Sequence, residues 1–413
     1  FGFFPSIALG YVVSNEKFFA PIRDVVSMVK LKASYGLVGN DQIGGDRRFI
    51  YNETVIGGGK YYFGTTPSQY TSVRLGEFPN PNVGWEKAKK LNLGADLSFF
   101  NQLNISVDYF KENREGIFLQ RKSIPMYVGL STKPWVNIGK MRNSGIDASL
   151  EYHQPLGKDL HLTVRSNFTY ARNRIMDQDE PDYAYTYMNH SGQMQWQKFG
   201  LVAAGLFQDQ EDIDSWAKQS FGEVKPGDIK YLDLNGDGIV DNYDTKPIGY
   251  SDIPEIVYGF GFSLQWKAFD LSAFFQGVAH VSFSTLTDQT QAFVGRNLKE
   301  SSVFADLYGN TWTPENPGAK YPRMTTGAVD NNNQLSTFWM ADGRYLRLKN
   351  LELGYTLPKR IANKIAMQNL RVYLSGVNLF TFSPFKLWDP DLQTGATNYP
   401  NNRIINLGLT IGF

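Results

Sequence analysis

Apolar and polar residues alternate with a period of two through most of this chain, a pattern that favours strands with one covered face over helices. The C-terminal stretch sets Ile405, Leu407, Leu409, Ile411 and Phe413 on one face, against Asn406, Gly408, Thr410 and Gly412 on the other. Leu91, Leu93, Ala95, Leu97 and Phe99 alternate with Asn92, Gly94, Asp96 and Ser98, and Leu103, Ile105, Val107 and Tyr109 with Asn104, Ser106 and Asp108. Leu160–Val164 and Tyr258–Trp266 repeat the pattern. So do the segments 7–13, 29–37, 146–152, 269–275, 345–357 and 370–379, which brings the expected total to about eleven strands. In 345–357 the phase slips near Lys349–Asn350, where a bulge is expected.

A soluble antiparallel sandwich also covers only one face of each strand. Two features favour a transmembrane barrel instead. The polar face carries Asp, Asn, Ser, Thr, Gly and Arg, as a wet lumen requires. The apolar face ends in aromatics (Phe99, Tyr109, Tyr152, Tyr170, Trp266, Phe413), as girdles at the membrane interface do. The connections also sort by parity. Short ones fall at 14–27, 101–102, 155–158, 267–268 and 358–369, and long ones near 38–84, 113–139, 172–254, 281–343 and 381–402. Outer-membrane barrels have short periplasmic turns and long extracellular loops, whereas a sandwich has no reason to sort them. No apolar run reaches the roughly 20 residues of a membrane helix, and the first residues lack the basic region and cleavage site of a signal peptide.

Composition removes other classes. Lys and Arg number 41 against 40 Asp and Glu, so there is no basic excess to neutralise nucleic-acid phosphates. With no cysteine in the chain, disulfides, thiolate catalysis and Cys-zinc sites are excluded. The four histidines (His153, His161, His190, His280) are scattered, and no acid–base pair stands out, so an enzyme is not expected. An odd strand count leaves an open edge that lipid does not tolerate, so the whole of 1–413 is expected to be part of a larger barrel.

One motif carries ligand chemistry. Asp233-Leu-Asn-Gly-Asp-Gly-Ile-Val-Asp-Asn-Tyr-Asp244 follows the spacing of a twelve-residue calcium loop. Side chains of Asp233, Asn235, Asp237, Asp241 and Asp244 and the carbonyl of Ile239 would face the ion, with Gly238 at the sharp turn. Asp244 replaces the usual Glu, which shortens its reach, and no amphipathic helices flank the loop. The expectation is a structural Ca²⁺ site, against the alternative of a metal-free Asx-rich turn. Tyr183, Tyr185, Tyr187, Trp196, Trp216 and Trp135 sit in loops, where they either stack on sugar faces or pack the loops onto themselves.

The ordered set of segments resembles the C-terminal half of the SusC/RagA family of TonB-dependent outer-membrane transporters of the Bacteroidetes. The segments are Phe4-Pro-Ser-Ile-Ala-Leu-Gly-Tyr11, Leu31-Lys-Ala-Ser-Tyr-Gly-Leu-Val-Gly-Asn40, Asn80-Pro-Asn-Val-Gly-Trp-Glu86 and Val136-Asn-Ile-Gly-Lys-Met-Arg-Asn-Ser-Gly145. They continue with Pro226-Gly-Asp-Ile-Lys-Tyr231, Phe269-Asp-Leu-Ser272, Trp312-Thr-Pro-Glu-Asn-Pro317, Tyr321-Pro-Arg323, Tyr345-Leu-Arg-Leu-Lys-Asn350 and Val377-Asn-Leu-Phe380. The resemblance implies a barrel of about 22 strands, of which this chain would supply half. It also implies a plug and TonB box outside this chain, and a SusD-like surface lipoprotein as lid. The function it implies is TonB-driven import of oligosaccharides or oligopeptides across the outer membrane. No substrate-binding residue is assigned by it. The competing expectation is a calcium-stabilised adhesin or lectin barrel without transport.

Overall fold

The computed structural model describes residues 2–43, 47–66, 68–130, 132–287, 290, 304–362, 364, 367–395 and 398–412. Its framework is one antiparallel sheet of eleven strands in sequential order. The strands are β1 (Ser6–Val12), β2 (Val26–Asn40), β3 (Glu86–Phe99), β4 (Leu103–Gln120), β5 (Trp135–Pro155) and β6 (Leu160–Asp177). They continue as β7 (Ile256–Trp266), β8 (Phe269–Ala279), β9 (Tyr345–Thr356), β10 (Asn369–Phe382) and β11 (Ile404–Gly412). Each strand pairs with its sequence neighbours, and β1 and β11 are not paired with one another, so the sheet is open. Among the described residues no helix is long and apolar enough to cross a membrane.

The register keeps the two faces separate across the sheet. Phe99 pairs with Leu103, Leu103 with Tyr152, Tyr152 with Val164 and Val164 with Phe262, all on the apolar face. Among the described residues nothing covers that face: Leu407 is 78% exposed and Leu409 57%. Trp266, Phe269 and Tyr355 meet at one margin, with centroids 6.2 and 4.7 Å apart. Tyr109 and Tyr170 stand near the other, in rows joined through Ile146. Phe413 lies outside the described residues. The expected bulge is present, since the register of β9 shifts between Leu348 and Asn350.

The parity of the connections holds, with changed limits. One margin carries 13–25, 100–102, 156–159, 267–268 and 357–368; the other carries 41–85, 121–134, 178–255, 280–344 and 383–403. The connection expected near 113–139 is much shorter, because β4 runs to Gln120 and β5 starts at Trp135. Beyond Tyr109 the outer face turns from apolar to charged, so hydrophobic alternation stops while the backbone ladder continues. The connection 41–85 contains a hairpin of Val55–Phe63 with Ser68–Leu75.

Within the long connections, tertiary packing builds a core away from the sheet. Leu201, Ile229, Tyr231, Val240, Leu307, Trp312, Tyr321 and Trp339 form one buried cluster drawn from 178–255 and 280–344. Leu201 N–H donates to Leu335 O and Thr337 N–H to Leu201 O, both at 2.9 Å. Buried Asp228 accepts from Arg323 Nη2 (3.1 Å), Asn332 Nδ2 (2.9 Å) and Lys225 N–H (2.8 Å), tying the two connections together. Gly227 makes this possible: its φ is +88°, and the Trp312 ring lies 2.4 Å from where a Cβ would stand.

Candidate substrate-facing surface

Within the stretch that the apolar rows span, alternation delivers the charged residues of the strands to the inner face, where they pair across neighbouring strands rather than lie in lipid. Lys32 on β2 reaches Asp96 on β3 at 2.7 Å and Asp108 on β4 at 3.3 Å, and Ser106 donates to Asp96 at 2.7 Å. Arg165 on β6 meets Glu151 on β5 at 2.9 Å, with His153 Nε2 3.2 Å from the same carboxylate. Arg371 on β10 bridges Asp270 on β8 and Glu352 on β9. Nearer the long connections, Arg114 lies between Glu86 (2.8 Å) and Glu112 (2.7 Å), and Lys90 pairs with Glu112 at 3.2 Å. A cation held between two carboxylates recurs along this wall. Such a surface is hydrated, polar and suited to polar solutes.

The loop layer adds a second surface. A cavity of about 550 Å³ is lined by Phe304, Tyr321, Trp339 and Phe385 together with Asp306, Lys320 and Lys386. Lys320 donates to Asp306 at 2.7 Å and holds its carboxyl below the usual range, helped by the Tyr321 hydroxyl. Aromatic faces beside paired charges can accept either a sugar or a peptide side chain. Several other loop aromatics are used internally. Tyr185 stacks on Tyr187 at 5.4 Å, Trp135 stacks on Phe118 at 5.5 Å, and Trp216 Nε1 donates to Tyr231 O at 2.7 Å. Trp196 remains exposed.

The motif Asp233–Asp244 lies in the connection 178–255, anchored through Val240 in the loop core. Gly238 has φ +84°, as the turn needs. Asp233 accepts from Gly236 N–H (2.7 Å) and Gly238 N–H (2.8 Å), Asn235 from Asp237 N–H (3.0 Å), and Asp237 from Ile239 N–H (2.9 Å). Asp241 accepts from Tyr243 N–H at 2.7 Å. Asp244 is 0% exposed and accepts from Leu234 N–H (2.7 Å), Asn235 N–H (3.3 Å) and Asp241 N–H (2.8 Å). The carboxylates thus brace the loop's own backbone. Asp244 Oδ1 is filled by its two backbone donors, but the oxygens of Asp233, Asn235, Asp237 and Asp241 each keep a further lone pair, so the donor set remains of the hard-oxygen kind that calcium takes. Among the described residues no group of three or more acidic or histidine side chains converges on one point.

Sequence reading missed two structural uses of charge. Arg172 on β6 forks onto buried Glu255 at 2.5 and 2.7 Å, and His280 Nδ1 lies 3.1 Å from that carboxylate. Asp179 clasps the start of 121–134, accepting from Arg121 Nη2 (3.1 Å), Lys122 N–H (2.8 Å) and Ser123 Oγ (2.9 Å). Burial pushes the Asp179 carboxyl up, but these donors outweigh it and hold it down at about 2.

Comparison with known proteins agrees with this architecture. Residues 1–379 match the family described as TonB dependent receptor-like, beta-barrel. TonB-dependent receptor P3 of Formosa agariphila is 30% identical over 440 aligned residues, covering 100% of this chain and 42% of that protein. TonB-dependent receptor SusC of Bacteroides thetaiotaomicron is 26% identical, covering 100% of this chain and 40% of its own. The RagAB peptide importer in its open-open state matches with a TM-score of 0.75 at 22% identity, over 99% of this chain and 42% of that one. The chain therefore spans about two fifths of the length of the curated relatives it matches. Its strands, their lipid-ready face and their charged inner face are those of an outer-membrane barrel, and the chain belongs to the TonB-dependent receptor-like β-barrel family, on its SusC/RagA-like side.

Proposed function

We propose that this chain is the barrel portion of an active importer of oligosaccharides or oligopeptides. Import is energised through TonB, with a SusD-like lipoprotein as lid and an N-terminal plug and barrel portion completing the pore. The observation that carries this reading is the pairing of an uncovered apolar face with a charge-laddered inner face beneath a folded loop layer. That layer holds an aromatic cavity of about 550 Å³, wide enough for part of an oligomeric solute. Support for the lid and for a peptide solute comes from the RagAB likeness, and for TonB coupling from the family.

The test is uptake of labelled oligopeptide and oligosaccharide mixtures by cells carrying the complete protein and its neighbouring lipoprotein. Depletion should track one class and stop when TonB is removed or the proton gradient is collapsed. Binding without internalisation, unchanged by either treatment, would point to a surface adhesin instead.

We also propose that Asp233–Asp244 takes up Ca²⁺ as a structural brace of the loop layer, on the strength of its oxygen donors and the turn at Gly238. Extracellular modules of this kind bind at about 10⁻⁴ to 10⁻³ M, so occupancy would follow external calcium.

A further inference from the structure

The apolar face does not end alike on all strands. On β3–β6 it runs from the row of Phe99, Leu103, Tyr152 and Val164 up to the row of Leu93, Tyr109, Ile146 and Tyr170. The same face then continues for three further rows toward the long connections. The first joins Leu91, Lys111, Ser144 and Arg172; the second joins Lys89, Asn113, Arg142 and Arg174; the third joins Lys87, Glu115, Lys140 and Asp177. Seven cations therefore face outward against two carboxylates, in a chain whose charges otherwise balance at a net +1. On β1, β2 and β7–β11 the outward positions carry no charged side chain among the described residues. The basic patch belongs to four adjacent strands.

Its depth is set by geometry. Phe99 to Leu91 is about 26 Å along the strand, which strand tilt reduces to about 20 Å, close to the height of a barrel's apolar band. The cations begin where hydrocarbon gives way to headgroups.

Some of these cations are already paired. Lys89 meets Glu115 at 3.0 Å, Lys140 meets Asp177 at 3.8 Å, and Arg172 is held by Glu255. Four have no carboxylate partner among the described residues. Arg142 Nε donates to Asn113 Oδ1 at 3.1 Å and Arg174 Nη1 to Gly192 O at 2.6 Å, while Lys87 and Lys111 make no ion pair. Uncompensated like charges crowded on one face repel, and anions of matching spacing relieve that cost. Arginine forks and lysine ammoniums are the groups that take phosphate.

We propose that the outward face formed by Lys87, Lys111, Arg142 and Arg174 docks the phosphate groups of anionic lipid in the outer leaflet. The apolar rows below receive the acyl chains of the same molecules. The patch is continuous with the lipid-facing band, and this decides for a lipid over a soluble partner. The inference rests on the membrane placement of the sheet and is independent of the transported solute.

The test uses the complete transporter in phosphatidylcholine nanodiscs containing monophosphorylated lipid A, or the same lipid with its phosphate removed. Lipid retained after detergent exchange is read by native mass spectrometry, with and without added inorganic phosphate. Wild-type protein should retain the phosphorylated form selectively, and free phosphate should compete weakly. The variant K87Q/K111Q/R142Q/R174Q should lose about tenfold or more of that retention while its heat-modifiable barrel persists. Retention indifferent to the lipid phosphate overturns the proposal, and that comparison needs no variant. Equal retention by the variant overturns it as well. Displacement by inorganic phosphate at the concentration of the lipid would reduce the patch to a free-anion site. Loss of the surface lipoprotein from the variant, with lipid retention unchanged, would make the face a protein interface and also overturn it.

Discussion

Arg347 Nη1 donates to Asp391 Oδ2 at 2.9 Å from a side chain that is only 2% exposed, so a barrel strand and the connection 383–403 share one ion pair whose cation is buried. Its second terminal nitrogen reaches Asp389, its Nε donates to Thr381 Oγ1 at 3.0 Å, and the Tyr345 hydroxyl donates to Asp391 at 2.6 Å. One guanidinium thus fastens the turn at 389–392 to the inner wall.

Removing that guanidinium leaves two carboxylates without their cation. Arg347→Met should destabilise the 383–403 connection by about 3 kcal/mol, seen as faster limited proteolysis there while the barrel stays heat-modifiable. Arg347→Lys should restore little, since an ammonium cannot serve Thr381, Asp389 and Asp391 at once. Unchanged cleavage in Arg347→Met would show that the contact contributes nothing to holding the connection.

Asp179 gives the clasp between 121–134 and 178–255 a defined pH response. Its folded pKa of about 2 lies below the ordinary 3.8, so the ionised form is favoured in the folded state. The clasp's contribution is fully present above about pH 4 and fades as pH falls toward 2. Hydrogen exchange at the Lys122 and Ser123 amides, whose N–H groups donate to Asp179, should quicken across that window beyond the intrinsic rate. Asp179→Asn should flatten the profile; an identical profile in that variant would sink the assignment.

The loop Asp233–Asp244 separates two kinds of brace. If Ca²⁺ is bound, a chelator should raise protease cleavage within 233–244, and Asp233→Ala with Asp237→Ala should do the same. Asp244→Ala should loosen the loop with or without chelator, because three backbone N–H donors lose their acceptor at about 1–3 kcal/mol for a buried group. Chelator-insensitive cleavage in the wild type would leave a self-braced turn and no metal.

Spin labels on β11 test the assignment of faces. Labels at Leu407 and Leu409 should be accessible to oxygen in the bilayer, and labels at Asn406 and Thr410 to a polar reagent. The reverse pattern would refute the placement of the sheet.

Much of the framework was legible because membrane strands write their two environments in alternate residues. The face of Leu91–Phe99, the partner face of Leu103–Tyr109 and the slip at Lys349 all follow from that code. It fails where both sides of a strand are polar, which is why β4 runs to Gln120 unannounced and why Lys87, Lys89 and Lys111 escaped notice. Carrying the same period past Leu91 would have found them. The loop core was not legible at all. Leu201 meets Leu335 and Thr337 across a long stretch of chain, and Asp228 finds Arg323 and Asn332; no local pattern encodes such meetings. The oxygen-rich motif was visible at once, but the inward turn of Asp244 depends on the backbone it caps.

The bulge in β9 has a consequence for how this strand can evolve. Below it Asn350, Glu352 and Gly354 face inward; above it Arg347 and Tyr345 do. Inward positions are even-numbered on one side of Lys349 and odd-numbered on the other. Deleting that single residue would turn Arg347 into hydrocarbon and Leu346 and Leu348 into water, undoing the hold on Asp389 and Asp391 without changing any other side chain. This stretch should accept substitution far more readily than a change of length.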